Sequence, residues 1–321
     1  MSILAVVIAL LVAGLVFEQI ATARDRRLFP GSGHLFRVGS HRMYLDCRGE
    51  GGPTVVFEAG SGGSSIDWRS VLPGVGSFTR ACAYDRAGYG RSDPGSKPRS
   101  LERMTSELHQ LLQLAGERPP FVFVAHSFGG LIATEYGSRY PKDIGGFVFV
   151  DAATKPAYDA IDAAYPQFLN GTGKAVAVAR AASVASSFGI TRLLRQPTAP
   201  RGFDPAVRPE AYALGYQPKV YAAFADETAA FRDNVAHART DFPRNVPTIV
   251  LTHGQAGDMF RGLPMQGADE IWHREQAVLA RLFPGAQHEV VRGTGHFIQI
   301  DKPEAVVDAI RHVVTEVKAR R

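Results

Sequence analysis

Polar side chains of the types that carry out nucleophilic catalysis follow the predicted strands of this 321-residue chain. These residues can attack a carbonyl, transfer a proton or orient a proton carrier: Ser61, Asp85, Ser127, Asp151, Asp258 and His296. A serine hydroxyl becomes a nucleophile when a histidine accepts its proton, and a carboxylate can orient that histidine. The residue types therefore indicate covalent catalysis by a serine, a histidine and an acid.

A mainly parallel sheet would bring these residues together. Residues 34–49 read as an opening antiparallel hairpin, and short apolar strands then alternate with helices up to a closing helix at 302–320. Such alternation predicts a parallel sheet with helices on both faces. Catalytic groups in these sheets gather at the carboxyl ends of the strands, where the six residues fall.

The segment "AHSFG" (125–129) resembles the nucleophile elbow of the α/β-hydrolase family, in which small residues flank the nucleophile at two positions on either side. Gly129 meets the pattern, and Ala125 adds one methyl group where glycine is usual. The resemblance extends over nearly the whole chain after residue 30. It implies the α/β-hydrolase fold: a mainly parallel eight-stranded sheet flanked by helices, with a helical cap inserted after strand 6.

The resemblance also assigns roles to residues. Ser127 would be the nucleophile, and His296 in "GTGHFIQIDKPE" (293–304) would be the base and then the acid. "VVFEAGSGGSSIDW" (55–68) is similar to the loop after strand 3, so the backbone N–H groups of Ser61 and Phe128 would form the oxyanion hole. "YDRAGYGRSD" (84–93) resembles the strand-4 signature and implies a tight turn under the nucleophile.

The identity of the acid stays open in the sequence. Our first choice is Asp258 in "THGQAGD", which follows the predicted seventh strand. Asp151 is the alternative, because it ends "GFVFVD" after the sixth strand. Asp269 and Glu270 lie near the start of a helix and are better suited to capping it.

Three units are expected along the chain: an N-terminal hydrophobic segment (1–27), a core (28–153 and 244–321) and a helical cap (154–243). The cap is much longer than a loop between two strands needs to be. Its aromatic residues could line an apolar substrate pocket or form the core of the cap: Tyr158, Tyr165, Phe168, Phe188, Tyr212, Tyr216, Tyr221 and Phe224.

The N-terminal run "ILAVVIALLVAGLVF" (3–17) is followed by Glu18 and by "ARDRR" (23–27). Three interpretations fit: a short membrane anchor, a signal peptide cleaved near "ATA" (21–23), or a buried helix. A bilayer span needs about 20 apolar residues. We favour membrane association through residues 3–20, which predicts a membrane-anchored protein, or a secreted one if the segment is cleaved.

Charge and cysteine content exclude other classes. The net charge is +5, but lysine and arginine are scattered, which disfavours a nucleic-acid partner. Cys47 and Cys82 are interpreted as two buried free thiols, and a single bridge is the alternative if the predicted strands that carry them are neighbours. Neither a metal nor a cofactor is implied, and the sequence does not predict an oligomeric state.

The predicted function is hydrolysis of a small or lipophilic carboxylic ester through an acyl-enzyme. The same residues could serve acyl transfer, amide or peptide hydrolysis, C–C bond hydrolysis or a cofactor-free lyase reaction, because a fold does not fix a reaction. A non-catalytic ligand-binding protein of the same fold is the alternative from a different class.

Overall fold

A computed structural model describes residues 2–197, 202–255, 260 and 265–320. Within these residues, eight strands form one sheet in the order β1-β2-β4-β3-β5-β6-β7-β8. The strands are β1 (His34–Val38), β2 (His41–Arg48), β3 (Thr54–Glu58), β4 (Ala81–Tyr84), β5 (Phe121–His126), β6 (Ile144–Val150), β7 (Thr248–His253) and β8 (Gln287–Val291). Only β2 runs antiparallel to its neighbours, so the predicted mainly parallel sheet is confirmed.

In the central strands, successive buried residues face opposite sides of the sheet. In β5, Phe123 and Ala125 face one hydrophobic cluster, and Val122 and Val124 face the other. Every residue of β5 is buried, as expected for a parallel strand covered on both faces. Aromatic and β-branched residues fit this pleated surface, which explains why "FVFV" forms a strand.

Helices cover both faces of the sheet. The described α-helices are α1 (Ile3–Leu28), α2 (Leu72–Gly76), α3 (Leu101–Leu114), α4 (Gly129–Arg139), α5 (Lys155–Ala164), α6 (Gln167–Asn170), α7 (Thr172–Ser187), α8 (Ile190–Leu193), α9 (Arg208–Gly215), α10 (Pro218–His237), α11 (Ala268–Arg281), α12 (Ile298–Asp301) and α13 (Pro303–Ala319). Residues of α3, α4 and α11 pack in one cluster, and residues of α2 and α13 pack in the other. Short 3₁₀ helices occupy Ser65–Trp68 and Pro141–Asp143.

The insertion between β6 and β7 forms helices α5 to α10 in the described residues, which confirms the predicted helical cap. The cap packs onto the residue that follows Ser127. Tyr158 and Ile161 of α5 and Val235 of α10 share a hydrophobic cluster with Phe128 and Leu131. Part of the cap's aromatic content is therefore core, and this core lies directly beside the elbow.

Cys47 and Cys82 are joined by a disulfide, so the interpretation as free thiols is wrong. The two residues are register partners on the antiparallel pair β2 and β4, with Cα atoms 4.0 Å apart. A bridge needs such proximity. The sequence left this bridge open, because β2 and β4 are neighbours in the sheet but not along the chain.

Helix α1 is mostly exposed, so the interpretation as a buried helix is also wrong. Ile3 is 85% exposed and Leu10 is 67% exposed. The helix is long and apolar enough to cross a membrane, and only 6% of its most apolar 18-residue stretch is buried. Its N-terminal part therefore lacks the packing that a core helix would have.

The C-terminal part of α1 packs against the cap. A Cβ on Gly14 would lie 2.8 Å from the Phe188 carbonyl oxygen, so glycine permits this close approach. Glu18 is buried and pairs with Arg192 at 3.0 Å, and Arg192 also pairs with Asp25 at 2.7 Å. The acidic residue that interrupts the apolar run therefore has a cationic partner.

Candidate active site

Ser127 lies on a sharp turn between β5 and α4. Its φ angle is 51°, a left-handed conformation that costs a non-glycine residue energy. A Cβ on Gly129 would lie 2.7 Å from the Glu58 carbonyl oxygen, so that position must be glycine. Ala125 is fully buried, so the elbow accommodates its methyl group at the position where glycine is usual. The local geometry is that of a nucleophile elbow.

The loop after β3 lies against the elbow. A Cβ on Gly60 would lie 3.1 Å from the Cβ of Ser127. In the described part of the chain, the backbone N–H groups of Ser61 and Phe128 donate to no other protein group. Helix α4 begins just after Phe128, and its N-terminal end favours negative charge. Both predicted oxyanion donors therefore belong to segments that border Ser127.

Asp151 is the acid that contacts His296. The Nδ1 atom of His296 lies 2.6 Å from Oδ2 of Asp151. Asp151 is fully buried and follows β6 in a left-handed conformation with a φ angle of 46°. Asp258, the first choice in the sequence, lies outside the described residues. The structure thus brings the alternative acid to the predicted histidine.

The Asp151 carboxylate accepts three further hydrogen bonds. The donors are Nδ1 of His253 at 2.8 Å, the backbone N–H of His253 at 3.2 Å and Nε1 of Trp272 at 3.0 Å. Burial alone would raise the pKa of this carboxyl, but the hydrogen bonds from His253 and His296 outweigh burial and lower it. Asp151 is therefore held as a carboxylate that can stabilise a positive imidazole.

His126 connects the elbow to the His296 loop. Its Nε2 atom lies 2.9 Å from the carbonyl oxygen of His296, and the two rings are 4.6 Å apart between centroids. Burial lowers the pKa of His126 to about 3, so the ring is neutral and donates from Nε2. The Ala153 amide also donates to the Ser127 carbonyl oxygen at 2.8 Å. These bonds fasten together the loops that carry Ser127, Asp151 and His296.

Arg86 holds the loop after β3 in place. Its guanidinium donates to the carbonyl oxygens of Ala59 and Gly60, both at 2.7 Å. It also pairs with Glu58 of β3 at 2.7 Å and with Glu227 of α10 at 2.8 Å, and all three charged groups are buried. Loss of one partner from such a group typically costs about 3–5 kcal/mol. The strand-4 signature therefore supplies a specific clamp in addition to the predicted turn.

Sequence reasoning missed Arg86, Glu227, His253 and Trp272 as contributors to the site. Glu227 lies in the cap, and no local motif links it to Arg86. His253 could have been selected from the sequence, because it is the last residue of a buried strand, just as Asp151 is the first residue after one. Asp269 and Glu270 lie in the first turn of α11 as expected, and Asp269 also contacts His253 at 3.1 Å.

Solved structures with the same architecture include several hydrolases. The epoxide hydrolase CorEH has a TM-score of 0.61 at 16% identity, over 89% of this chain and 99% of that one. A serine hydrolase involved in carbazole degradation, the CarC enzyme, has a TM-score of 0.58 at 15% identity, over 88% of this chain and 98% of that one. At these identities the likeness establishes the fold alone.

Curated relatives are more varied. The uncharacterized protein YqjL of Bacillus subtilis is 36% identical over 33% of this chain and 42% of its own length. A haloalkane dehalogenase of Mycolicibacterium smegmatis is 24% identical over 88% of this chain and 90% of its own. The chain spans less than half the length of several other relatives. The match to YbdG of Bacillus subtilis, for example, covers 49% of that protein's length.

A family-wide sequence model described as "Alpha/beta hydrolase family" matches residues 55–309, which include the elbow, Asp151 and His296. The match spans most of the chain and agrees with the sheet order and the helical cap described above. The chain belongs to the alpha/beta hydrolase family.

Proposed function

We propose that this hydrolase is a serine carboxylic ester hydrolase that works through an acyl-enzyme. The observation that carries the proposal is the 2.6 Å contact between His296 and the buried Asp151, at the same sheet edge as the strained Ser127. A serine, an oriented histidine and a carboxylate make up the arrangement that activates a hydroxyl for acyl transfer.

In the proposed mechanism, Oγ of Ser127 attacks the ester carbonyl while Nε2 of His296 accepts its proton. The contact between Asp151 and Nδ1 of His296 leaves Nε2 on the opposite side of the ring, available for this transfer. The amides of Ser61 and Phe128 stabilise the negative oxygen of the tetrahedral intermediate. His296 then protonates the leaving alcohol, and water activated by the same histidine releases the acid.

The serine nucleophile argues against the reactions named for some relatives. A serine hydroxyl that attacked a haloalkane carbon or an epoxide would form an ether with the substrate. Water does not cleave an ether near neutral pH, so the enzyme could not turn over. A carboxylate nucleophile would leave an ester that can be hydrolysed. Attack on a carbonyl is the reaction in which Ser127 leaves a hydrolysable ester, so we assign an acyl substrate.

An apolar substrate suits the wall beside the elbow. Phe168 and Phe231 form this wall: they are half-buried and pack on the buried Tyr158 and Phe128, with 5.8 Å between the ring centroids of Phe128 and Phe231. Each buried CH₂ contributes about 0.8 kcal/mol, or about fourfold in a rate or binding constant. We therefore propose a lipophilic acyl or alkyl group as the preferred partner of this wall.

We expect a fluorophosphonate probe to label the intact chain once, on the peptide that contains Ser127. A series of p-nitrophenyl esters should show a burst of one p-nitrophenol per chain, and kcat/KM should rise up to about fourfold per added CH₂ at short chain lengths. Mass spectrometry and stopped-flow absorbance measure these results, with heat-denatured protein as the control.

Three outcomes would redirect the assignment. If neither labelling nor ester turnover occurs, the chain is not a serine ester hydrolase, and a ligand-binding role gains weight. If added alcohol yields product ester in preference to free acid, the enzyme is an acyltransferase. If amide or C–C substrates turn over faster than every ester, the proposed substrate class changes, and Ser127 remains the proposed nucleophile.

We also propose that residues 3–20 associate with a membrane and bring the cap to its surface. Three apolar cap residues near the α1 contact are exposed: Ile190 by 43%, Leu193 by 69% and Leu194 by 65%. With α1 inserted, these side chains would meet the lipid boundary rather than water. A lipophilic ester could then reach the cap directly from the bilayer.

The full chain should remain in the membrane pellet after an alkaline carbonate wash. Changing Val7 and Leu11 to aspartate should release it, because an acidic residue near the centre of a span costs about 2.5–3.5 kcal/mol. Leu114→Asp is the matched control, since Leu114 is a 49% exposed leucine at the end of α3, outside the N-terminal helix. Release of the unaltered full-length chain would contradict anchoring, and a mature N-terminus just after Ala23 would show a cleaved signal.

A further inference from the structure

We propose that His253, Asp269 and His273 form a zinc site directly behind the acid of the active site. His253 is the last residue of β7, and Asp269 and His273 lie one turn apart on α11. Residues spaced by four on a helix present their side chains on the same face. The strand and the helix thus direct two imidazoles and one carboxylate to a common point.

The spacing of the ligand atoms fits a tetrahedral metal ion. Nε2 of His253 lies 3.1 Å from Oδ1 of Asp269 and 3.2 Å from Nε2 of His273. Nε2 of His273 lies 4.0 Å from Oδ2 of Asp269. Zinc bonds of about 2.0–2.1 Å at tetrahedral angles separate ligand atoms by about 3.3–3.4 Å. Small side-chain rotations are sufficient to seat the ion.

Asp151 provides an independent sign that this cluster is built to hold a cation. Its carboxylate accepts a hydrogen bond from Nδ1 of His253 at 2.8 Å. This bond fixes the ring so that Nε2 faces Asp269 and His273. A carboxylate that orients a histidine from behind is the usual support of a metal-binding imidazole.

Nδ1 of His253 donates to Asp151, and the carboxylate of Asp269 can only accept, so a proton or a cation must bridge Nε2 of His253 and Asp269. A proton does this in the absence of metal, and a zinc ion that displaces the proton joins all three ligands. Two imidazoles and one carboxylate suit zinc rather than magnesium or calcium, which prefer oxygen ligands. His273 is 32% exposed, which leaves a path for the ion and a fourth position for water.

Zinc at this site would affect the proposed ester hydrolysis, and this part of the inference rests on the proposed function. His253 and His296 both direct Nδ1 to the same oxygen, Oδ2 of Asp151. A zinc ion on Nε2 of His253 replaces the proton there and so changes the strength of the Nδ1–H donor to that oxygen. The stabilisation of a positive His296 by the same oxygen then changes, and we expect zinc to alter kcat.

Isothermal titration of the tag-free, EDTA-treated full chain with zinc chloride tests the site. We expect one zinc ion per chain and a loss of affinity of at least about 100-fold in His273→Ala and in Asp269→Asn, since even supporting residues change affinity 10- to 100-fold. His312→Ala is the matched control, because His312 pairs with Glu316 at the same helical spacing on an exposed surface. It should bind as the unaltered chain does.

Saturable zinc binding that persists in His273→Ala, or no saturable binding by the unaltered chain, would overturn the site. Thermal unfolding of each variant without zinc checks that a loss of binding is not a loss of folding. The ratio of ester turnover with and without zinc should depart from one in the unaltered chain and stay at one in His273→Ala. Binding without any ester turnover would leave the metal site intact and overturn the proposed function instead.

Discussion

Ser127→Ala should reduce ester turnover by about 10⁵- to 10⁶-fold, because it removes the hydroxyl that we propose forms the acyl-enzyme. Alanine keeps the shape of the side chain apart from Oγ, so the packing of the elbow is retained. Its cost in the left-handed conformation is close to that already borne by serine. The measurement is kcat with the best p-nitrophenyl ester under saturating conditions.

Ser138→Ala is the matched control for this change. Ser138 is a buried serine on α4 whose hydroxyl donates to the Thr134 carbonyl oxygen at 3.0 Å. Its loss removes one hydrogen bond of about 1 kcal/mol and leaves the elbow untouched. Retention of even one-tenth of normal turnover by Ser127→Ala would show that the nucleophile lies elsewhere.

Asp151→Asn should lower kcat by about 10⁴-fold, the effect seen when an amide replaces the acid of a serine triad. Both His253 and His296 direct Nδ1 to one oxygen of Asp151. The amide is uncharged and stabilises a positive His296 poorly, and its NH₂ group can turn His296 to the wrong tautomer. Asparagine tolerates the left-handed backbone at this position, so the fold should persist.

Asp258→Asn decides between the two acids considered in the sequence. We expect this variant to keep near-normal kcat while Asp151→Asn loses activity. The opposite ranking would make Asp258 the acid and reduce Asp151 to a structural anchor for His253 and Trp272. Circular dichroism of both variants, recorded with the kinetics, separates a loss of chemistry from a loss of structure.

Much of the fold could be predicted because its signals are local. The buried run before Ser127, the small residue at Gly129 and the helix after it all lie within one short segment. His296 could be selected because it follows the last strand, between a glycine-rich turn and the closing helix. These signals predict the sheet, the elbow and a candidate base without any knowledge of distant contacts.

The remaining features depend on which strand ends face each other in space. Asp151 and Asp258 both follow strands, and the sequence does not reveal which carboxylate reaches His296. The same limit left the Cys47–Cys82 bridge undecided, since the pairing of β2 with β4 is a property of strand order.

The bond from Arg86 to Glu227 has a consequence for protein engineering. Arg86 contacts the core through Glu58, Ala59 and Gly60, and among the described residues its charged partner in the cap is Glu227. A chimaera that takes its cap from another hydrolase would lose one counter-charge of this guanidinium unless the new cap carries an acid at the same place. The cap of this protein is therefore not an interchangeable module, and its α10 segment has to be inherited together with Arg86.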